Sequence, residues 1–436
     1  MKRVAVVGSG ISGLAAANAL AGEAHVTLFE ADCRFGGHSH TVDVTLHGVT
    51  HGVDTGFLVF NHRTYPNLVQ MFDKLGVQTA PSEMSFSVQV PSANLEWSGC
   101  NLDTVFAQRS NLWSPRFLGM LREVLRFNRL STVLADRGAD AEMAEPIGEF
   151  LDRMGFGSTF REWYFLPMIG CIWSCPTDQM LRFPVGTMIR FCHNHGLIQV
   201  ANRPQWHTVR GGSRNYVNKL LRGIPDARLN SPVHRVRRAP ATSGQRGVLL
   251  STDLGEERFD DVVLACHSDQ SLALLADALP AERAVLAAIR YQPNHAVLHT
   301  DASVLPRRPR AWAAWNYARA STPGREQAGV CLHYLINRLQ PLPWTQPVLV
   351  SLNPDPARPP DPHTVFARID YSHPVFDLAA TRAQQQLPAV QGVAGVWFCG
   401  AWTRYGFHED GLMSALDVVE RLRRQWHAQA PLREAA

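Results

Sequence analysis

Lysine is nearly missing from these 436 residues: Lys2, Lys74 and Lys219 are the only three, and none follows residue 219. Arginine therefore carries almost all the positive charge, and a net charge of +4 is too small to point to nucleic acid as a partner. The eight cysteines form no CxxC pair, and Cys171 and Cys175 have no matching histidine pair downstream. No metal site is expected, and reduced thiols in a cytoplasmic protein are. No apolar run approaches the ~20 residues that span a bilayer. Met1-Lys2-Arg3 leads into a short strand that glycines interrupt, which is not the pattern of a secretory signal. A cytoplasmic protein is expected, with contact at the inner face of the membrane left open.

What is present is a globular composition, 45% hydrophobic and 18% charged, which excludes a disordered chain. The length suits two interlocked domains better than one core. Val4 to Val7 is a β-branched run ending in glycine, Ile11 to Leu20 favours helix, and His25 to Phe29 is a second strand. Between the first strand and the helix stands Gly8-Ser9-Gly10-Ile11-Ser12-Gly13, a GxGxxG motif. Its first glycine allows a tight turn, its second a close backbone approach to a pyrophosphate, and its third close packing of helix on strand. The helix N-terminus adds free N–H groups and a positive dipole end. Glu30 ends the second strand, where a carboxylate accepts the adenosine ribose hydroxyls and repels a 2′-phosphate.

The glycine motif alone does not separate NAD from FAD. Directly after Glu30 comes Ala31-Asp32-Cys33-Arg34-Phe35-Gly36-Gly37-His38-Ser39, with Thr41 close behind. This segment resembles the E-x(n)-GG-[RH]-x-x-T stretch of the flavoprotein superfamily of amine oxidases, carotenoid desaturases and protoporphyrinogen oxidases. Three further stretches carry the resemblance: Asp54-Thr55-Gly56-Phe57, Trp206 to Gly212, and the tail from Cys399-Gly400-Ala401-Trp402 to Gly411-Leu412-Met413-Ser414-Ala415. The resemblance implies a doubly wound α/β domain that binds FAD non-covalently, with an inserted α+β substrate domain. It divides the chain into 1–75, 205–285 and 390–425 for FAD, and 76–204 and 286–389 for substrate. It assigns cofactor contacts to Gly8, Gly10, Ile11, Ser12, Gly13, Glu30, Ala31, Gly36, Gly37, His38, Ser39, Thr55, Gly56, Phe57, Val233, Gly400, Gly411, Leu412 and Met413.

Two departures from the family stand out. Ala401 replaces the acid or hydroxyl residue common after the glycine, and the lysine that amine oxidases keep near the flavin N5 has no counterpart after residue 219. The reaction expected is hydride transfer from an apolar substrate to flavin N5, with desaturation of a free or phospholipid-bound fatty acyl chain preferred. Isomerisation of a double bond in a lipid or carotenoid, amine oxidation, and a non-catalytic flavoprotein supporting a partner enzyme are the alternatives. The motifs do not name the electron acceptor.

Candidate catalytic residues are His408, Glu409 and Tyr405, just before the final helix. Histidine titrates near neutrality and suits a proton carrier; the alternative is that an acid here caps the helix while His408 packs locally. Trp163, Tyr164, Trp173, Trp206, Trp315 and Tyr317 are candidates for the lining of an apolar tunnel. Arg116 to Leu130 reads as an amphipathic helix, with Phe117, Leu121, Val124 and Leu125 on one face and Arg122, Arg126 and Arg129 on the other. Such a helix either packs on the core, lies on an anionic bilayer, or offers its arginines to an acidic head group.

Overall fold

The computed structural model describes residues 1–138, 145–199, 203–239, 247–319 and 330–429. Val4, Ala5 and Val6 are completely buried, as in a strand covered on both faces. Their strand, Lys2–Val7, is central in a five-stranded parallel sheet. Ala24–Phe29 and then Asp226–Arg228 lie on one side, and Asp261–Leu264 and then Val396–Phe398 on the other. Strands from both ends and the middle of the chain thus build one sheet. The first helix, Ile11–Leu20, packs on it, and the final helix, His408–Gln429, lies against the first.

A second, seven-stranded sheet draws on distant parts of the chain. Its order is Val365–Val375, Arg290–His299, Leu349–Leu352, Cys331–Leu335, Trp315–Ala318, Phe86–Val90 and Leu95–Ser98. The pairing is antiparallel except between Trp315–Ala318 and Phe86–Val90. Helices from residues 102–194 pack beside it around Phe127, Phe160, Phe165 and Met188. Among the described residues no helix is long and apolar enough to cross a membrane.

The helix expected at Arg116 to Leu130 runs further, over Pro115–Arg137, with Ser114 capping Phe117 N–H. One residue sits on the other face from that expected. Phe117 is fully buried, but Leu125 is 58% exposed. The reason is the direction from which the core approaches: Phe117, Met120, Phe127 and Ser131 are the side chains it covers.

Candidate functional site

The glycine turn is built on backbone contacts that a side chain would break. Gly8 has φ +99° and donates its N–H to Phe29 O at 2.9 Å. A Cβ on Gly13 would stand 1.8 Å from Gly8 O. Gly10 differs: it is the N-cap of the first helix, extended, and a Cβ there would meet no atom within 4 Å. The helix N-terminus is thus open to a ligand where its unpaired N–H groups point. Ile11 and Ser12 are buried in the same turn.

Glu30 braces this turn. Its Oε2 accepts Ser9 N–H and Ser9 Oγ–H, and its Oε1 accepts Asp32 N–H. A carboxylate has about four acceptor positions, so further hydroxyls can still bind. Val233 lies nearby: Ser231, two residues before it, donates its N–H to Glu30 O. Ala31 is exposed at the rim.

Gly36 and Gly37 both have positive φ, +117° and +55°, and Gly36 N–H donates to Ser9 O. The next residues meet the Asp54 segment. Phe57 N–H donates to His38 O at 2.8 Å, and a Cβ on Gly56 would lie 2.2 Å from that oxygen. Thr55 Oγ1 bonds His40 O and Tyr371 Oη. Asp54 itself is 1% exposed and held by Thr41, Ser213 and Gln340, which makes it a structural knot.

The tail closes over these segments. Phe57 stacks on His408, with ring centroids 3.8 Å apart and planes 11° apart. His408 Nε2 lies 2.6 Å from Tyr216 Oη, which in turn bonds Ser39 Oγ. Ser12 Oγ donates to Gly411 O at 2.8 Å, pinning the first turn of the final helix to that of the first. Gly411 allows this approach, since a Cβ there would meet Ile11 at 2.8 Å. Gly400 N–H donates to Ser414 Oγ. Leu412 turns its side chain into the core and Met413 is half-buried.

The three catalytic candidates fare differently. Glu409 is 5% exposed and accepts Asn67 N–H, Asn67 Nδ2–H and Leu68 N–H. It closes the N-terminus of the helix Pro66–Leu75, so the capping alternative holds for it, on a different helix from its own. Tyr405 accepts Trp173 Nε1–H at its backbone oxygen. Burial pushes His408 down to about 3, which favours the neutral ring.

Four participants carried no motif. Tyr371 stacks on His38 at 4.8 Å, His373 lies 5.4 Å from His38, and His267 6.2 Å; Tyr216 is the fourth. Burial first, then the neighbouring histidines, holds His38 well below its usual value. His373 is pushed to about 4 by burial, then by His267. His38 Nε2 is enclosed and has no hydrogen-bond partner among the described residues. An enclosed ring nitrogen without a partner, an open helix N-terminus at Gly10 and an acid beside it together fit a bound dinucleotide.

Asp410 completes the first turn of the final helix, accepting Phe407 N–H. Burial raises it from 3.8 to about 7 against the pull of that bond and of Arg404, with Glu409 adding to the rise. The fold therefore penalises its charged form. The penalty is absent below about pH 4 and complete above pH 7, where it reaches ~4 kcal/mol. Thermal unfolding of Asp410→Asn and wild type is expected to diverge in favour of the variant as pH rises from 5 to 8. A constant difference across that range would refute the assignment.

Of the aromatic residues expected to line a tunnel, Trp173 and Trp206 stand beside this tail. Phe191 lies 4.8 Å from Trp173 and stacks on Phe407 at 4.5 Å and on His195 at 3.9 Å, with Trp206 6.1 Å from His195. Tyr164 packs instead against Phe86, Trp97 and Phe160, and Trp97 Nε1–H bonds Trp163 O. Trp315 and Tyr317 lie on a strand of the seven-stranded sheet, where Trp315 packs on Tyr334.

No curated protein sequence matches the chain. Solved structures do. A CLA-producing fatty acid isomerase from P. acnes superposes with a TM-score of 0.68 at 16% identity, covering 96% of this chain and 98% of its own. Cyclohexylamine oxidase from Brevibacterium oxydans IH-35A gives 0.67 at 18% identity, covering 97% and 99%. Putrescine oxidase bound to putrescine gives 0.67 at 16% identity, covering 98% and 99%. At such identities the likeness is one of fold. Residues 11–299 match the flavin containing amine oxidoreductase family. The chain belongs to this family and is an FAD-dependent oxidoreductase.

Proposed function

We propose that the enzyme desaturates a fatty acyl chain, free or phospholipid-bound. One carbon gives up a hydride to the bound cofactor, its neighbour gives up a proton to a nearby base or water, and a double bond forms between them. The observation that carries this reading is the cluster of rings that joins Trp173, Phe191, His195, Trp206 and Phe407, the residue before His408. Rings clustered in this way suit an extended apolar reactant.

In this reading the cofactor contacts are those of the glycine turn, Glu30, the Gly36–Ser39 segment, the Thr55–Phe57 segment and the first turn of the final helix. When bound there, FAD supplies the hydride acceptor. The two helix N-termini meet through Ser12 and Gly411 and present N–H groups and positive dipole ends to negative charge. His408 acts as a positioning residue, since a ring held neutral at about 3 is a poor proton store. It supports Phe57 by stacking and Tyr216 by hydrogen bonding. The strands of the two sheets support the two-part division of the chain, and the ring cluster draws on residues 173–206 and the tail.

Isomerisation, in which the hydride returns to the substrate, is the second reading, favoured by the likeness to the P. acnes fatty acid isomerase. Anaerobic mixing of the yellow protein with fatty acids and phospholipids, followed at the flavin absorbance, tests both. Bleaching with an acyl substrate and a product lighter by two hydrogens is expected. A product of unchanged mass selects the isomerase. Bleaching by amines alone, with none by any acyl lipid, overturns the proposal in favour of amine oxidation.

A further inference from the structure

The helix Pro115–Arg137 leaves one line of side chains uncovered. Leu118, Arg122, Leu125, Arg129 and Val133 follow one another at intervals of four, three, four and four, which places them on one face. Leu118 is 44%, Leu125 58% and Val133 41% exposed. Just before the helix, Trp113 is 85% and Leu112 42% exposed, and Leu102 is 78% exposed. Six of the twelve large hydrophobic residues exposed on the described surface thus fall within residues 102–133. An apolar strip of this kind marks an interaction surface.

The charges on the strip select the partner. Arg116, Arg122 and Arg129 form no ion pair among the described residues. The acids nearby are engaged: Asp103 by Arg109 and, at 3.8 Å, Arg310; Glu123 by Gly157 N–H; and Asp136, at the far end, 3.7 Å from His193. A face that interleaves leucine with unpaired arginine and leads with an exposed tryptophan matches the boundary of an anionic bilayer. Leucine enters the acyl layer there, tryptophan sits at head-group level, and arginine reaches phosphate while its stem stays apolar.

We propose that this face docks the enzyme on anionic phospholipid membrane. The role of that docking, delivery of an acyl chain from the bilayer, rests on the reading of the reaction given above. The docking itself is measured without turnover, so it stands or falls separately.

The test is co-sedimentation of the flavin-loaded protein with vesicles of equal parts phosphatidylglycerol and phosphatidylcholine, and with phosphatidylcholine alone. Binding to the anionic vesicles is expected, weakening as salt shortens the range of the charges. Arg122→Glu/Arg129→Glu is expected to lower partitioning by more than roughly 25-fold, at about fivefold for each arginine lost. Trp113→Ala is expected to weaken it by roughly fivefold. Both variants should keep the flavin absorbance and melting temperature of wild type, because the altered side chains are solvent-facing. Wild-type protein that stays in the supernatant, or a double variant that binds as well as wild type, overturns the proposal. Unbound protein that sediments as a dimer, and as a monomer once Trp113 is replaced, assigns the face to a second copy of the chain.

Discussion

Gly13→Ala protein should purify colourless and poorly folded, whereas Gly10→Ala protein should purify colourless and well folded. The contrast follows from what each new methyl group would meet. At Gly13 the Cβ would stand 1.8 Å from Gly8 O and 2.9 Å from Gly8 C, with Ala265 Cβ at 3.2 Å. These are backbone and strand atoms with nowhere to move, because Gly8 is fixed to Phe29 O and the strand Asp261–Leu264 is paired on both edges. Relief requires the first helix to lift off the sheet, and with it the contact between Ser12 and Gly411. Overpacking of this kind costs on the order of 1–3 kcal/mol even where neighbours can yield, and more here. At Gly10 nothing in the chain lies within 4 Å of the new carbon, and φ −63° with ψ 178° suits alanine. The folded state is untouched, but the methyl group stands where the backbone must approach a pyrophosphate. Flavin bound per chain is expected to fall at least tenfold in both variants, a loss of about 1.4 kcal/mol or more in binding. The melting temperature of the flavin-free chain should fall only for Gly13→Ala. Gly22→Ala, whose Cβ also meets nothing, is the control that stays yellow. A yellow Gly10→Ala protein would remove the glycine turn from the cofactor site.

The contrast also separates the backbone demands that were legible in the sequence from the contacts that were not. Gly8, Gly13, Gly36 and Gly37 are each dictated by a local backbone demand, a positive φ or a close approach, that only glycine meets at low cost. Such demands are written at the position itself. Glu30 was legible by position, as the residue that directly follows the second strand and there meets the glycine turn at Ser9. The ring cluster was not. His38 meets Tyr371 and His373 across more than three hundred residues, and Tyr216 reaches Ser39 across 177. No period or spacing encodes which loops a discontinuous chain brings together. The partners of Glu409 were hidden for the same reason: its three donors belong to Asn67 and Leu68, 342 and 341 residues away. The arginine helix fell between the two cases. Its period was readable, but which arc the core covers depends on what packs there, and Leu125 lay just outside that arc.

Asp54→Ala should produce the largest loss of stability of any single change near the site. Asp54 Oδ1 accepts Thr41 Oγ1–H at 2.6 Å and Ser213 Oγ–H at 2.8 Å. Its two oxygens share Ser213 N–H at 2.9 Å, and Oδ2 accepts Gln340 Nε2–H at 2.9 Å. Gln340 returns a bond, its Oε1 accepting Asp54 N–H. The carboxylate thus ties the hairpin Thr41–Asp54, the turn that opens the helix Arg214–Leu221, and residue 340 after the strand Cys331–Leu335. These three segments are remote in sequence, and the knot is almost fully buried, so water cannot replace the lost acceptor. Alanine would leave the donors of Thr41, Ser213 and Gln340 unsatisfied at ~1–3 kcal/mol each, a total on the order of 5 kcal/mol. The melting temperature should fall by roughly 10 °C. Asp54→Asn keeps one carbonyl acceptor for Thr41 and Ser213 but turns an amide donor toward the Gln340 donor, so this variant should recover about half of the loss. Thr55, Gly56 and Phe57 follow directly on the knot. Flavin retention should therefore fall with stability in Asp54→Ala, and His408 should lose the stacking that Phe57 provides. Unchanged melting with reduced flavin would instead make Asp54 a cofactor contact. Unchanged melting and unchanged flavin would mean that Thr41, Ser213 and Gln340 hold the three segments without it.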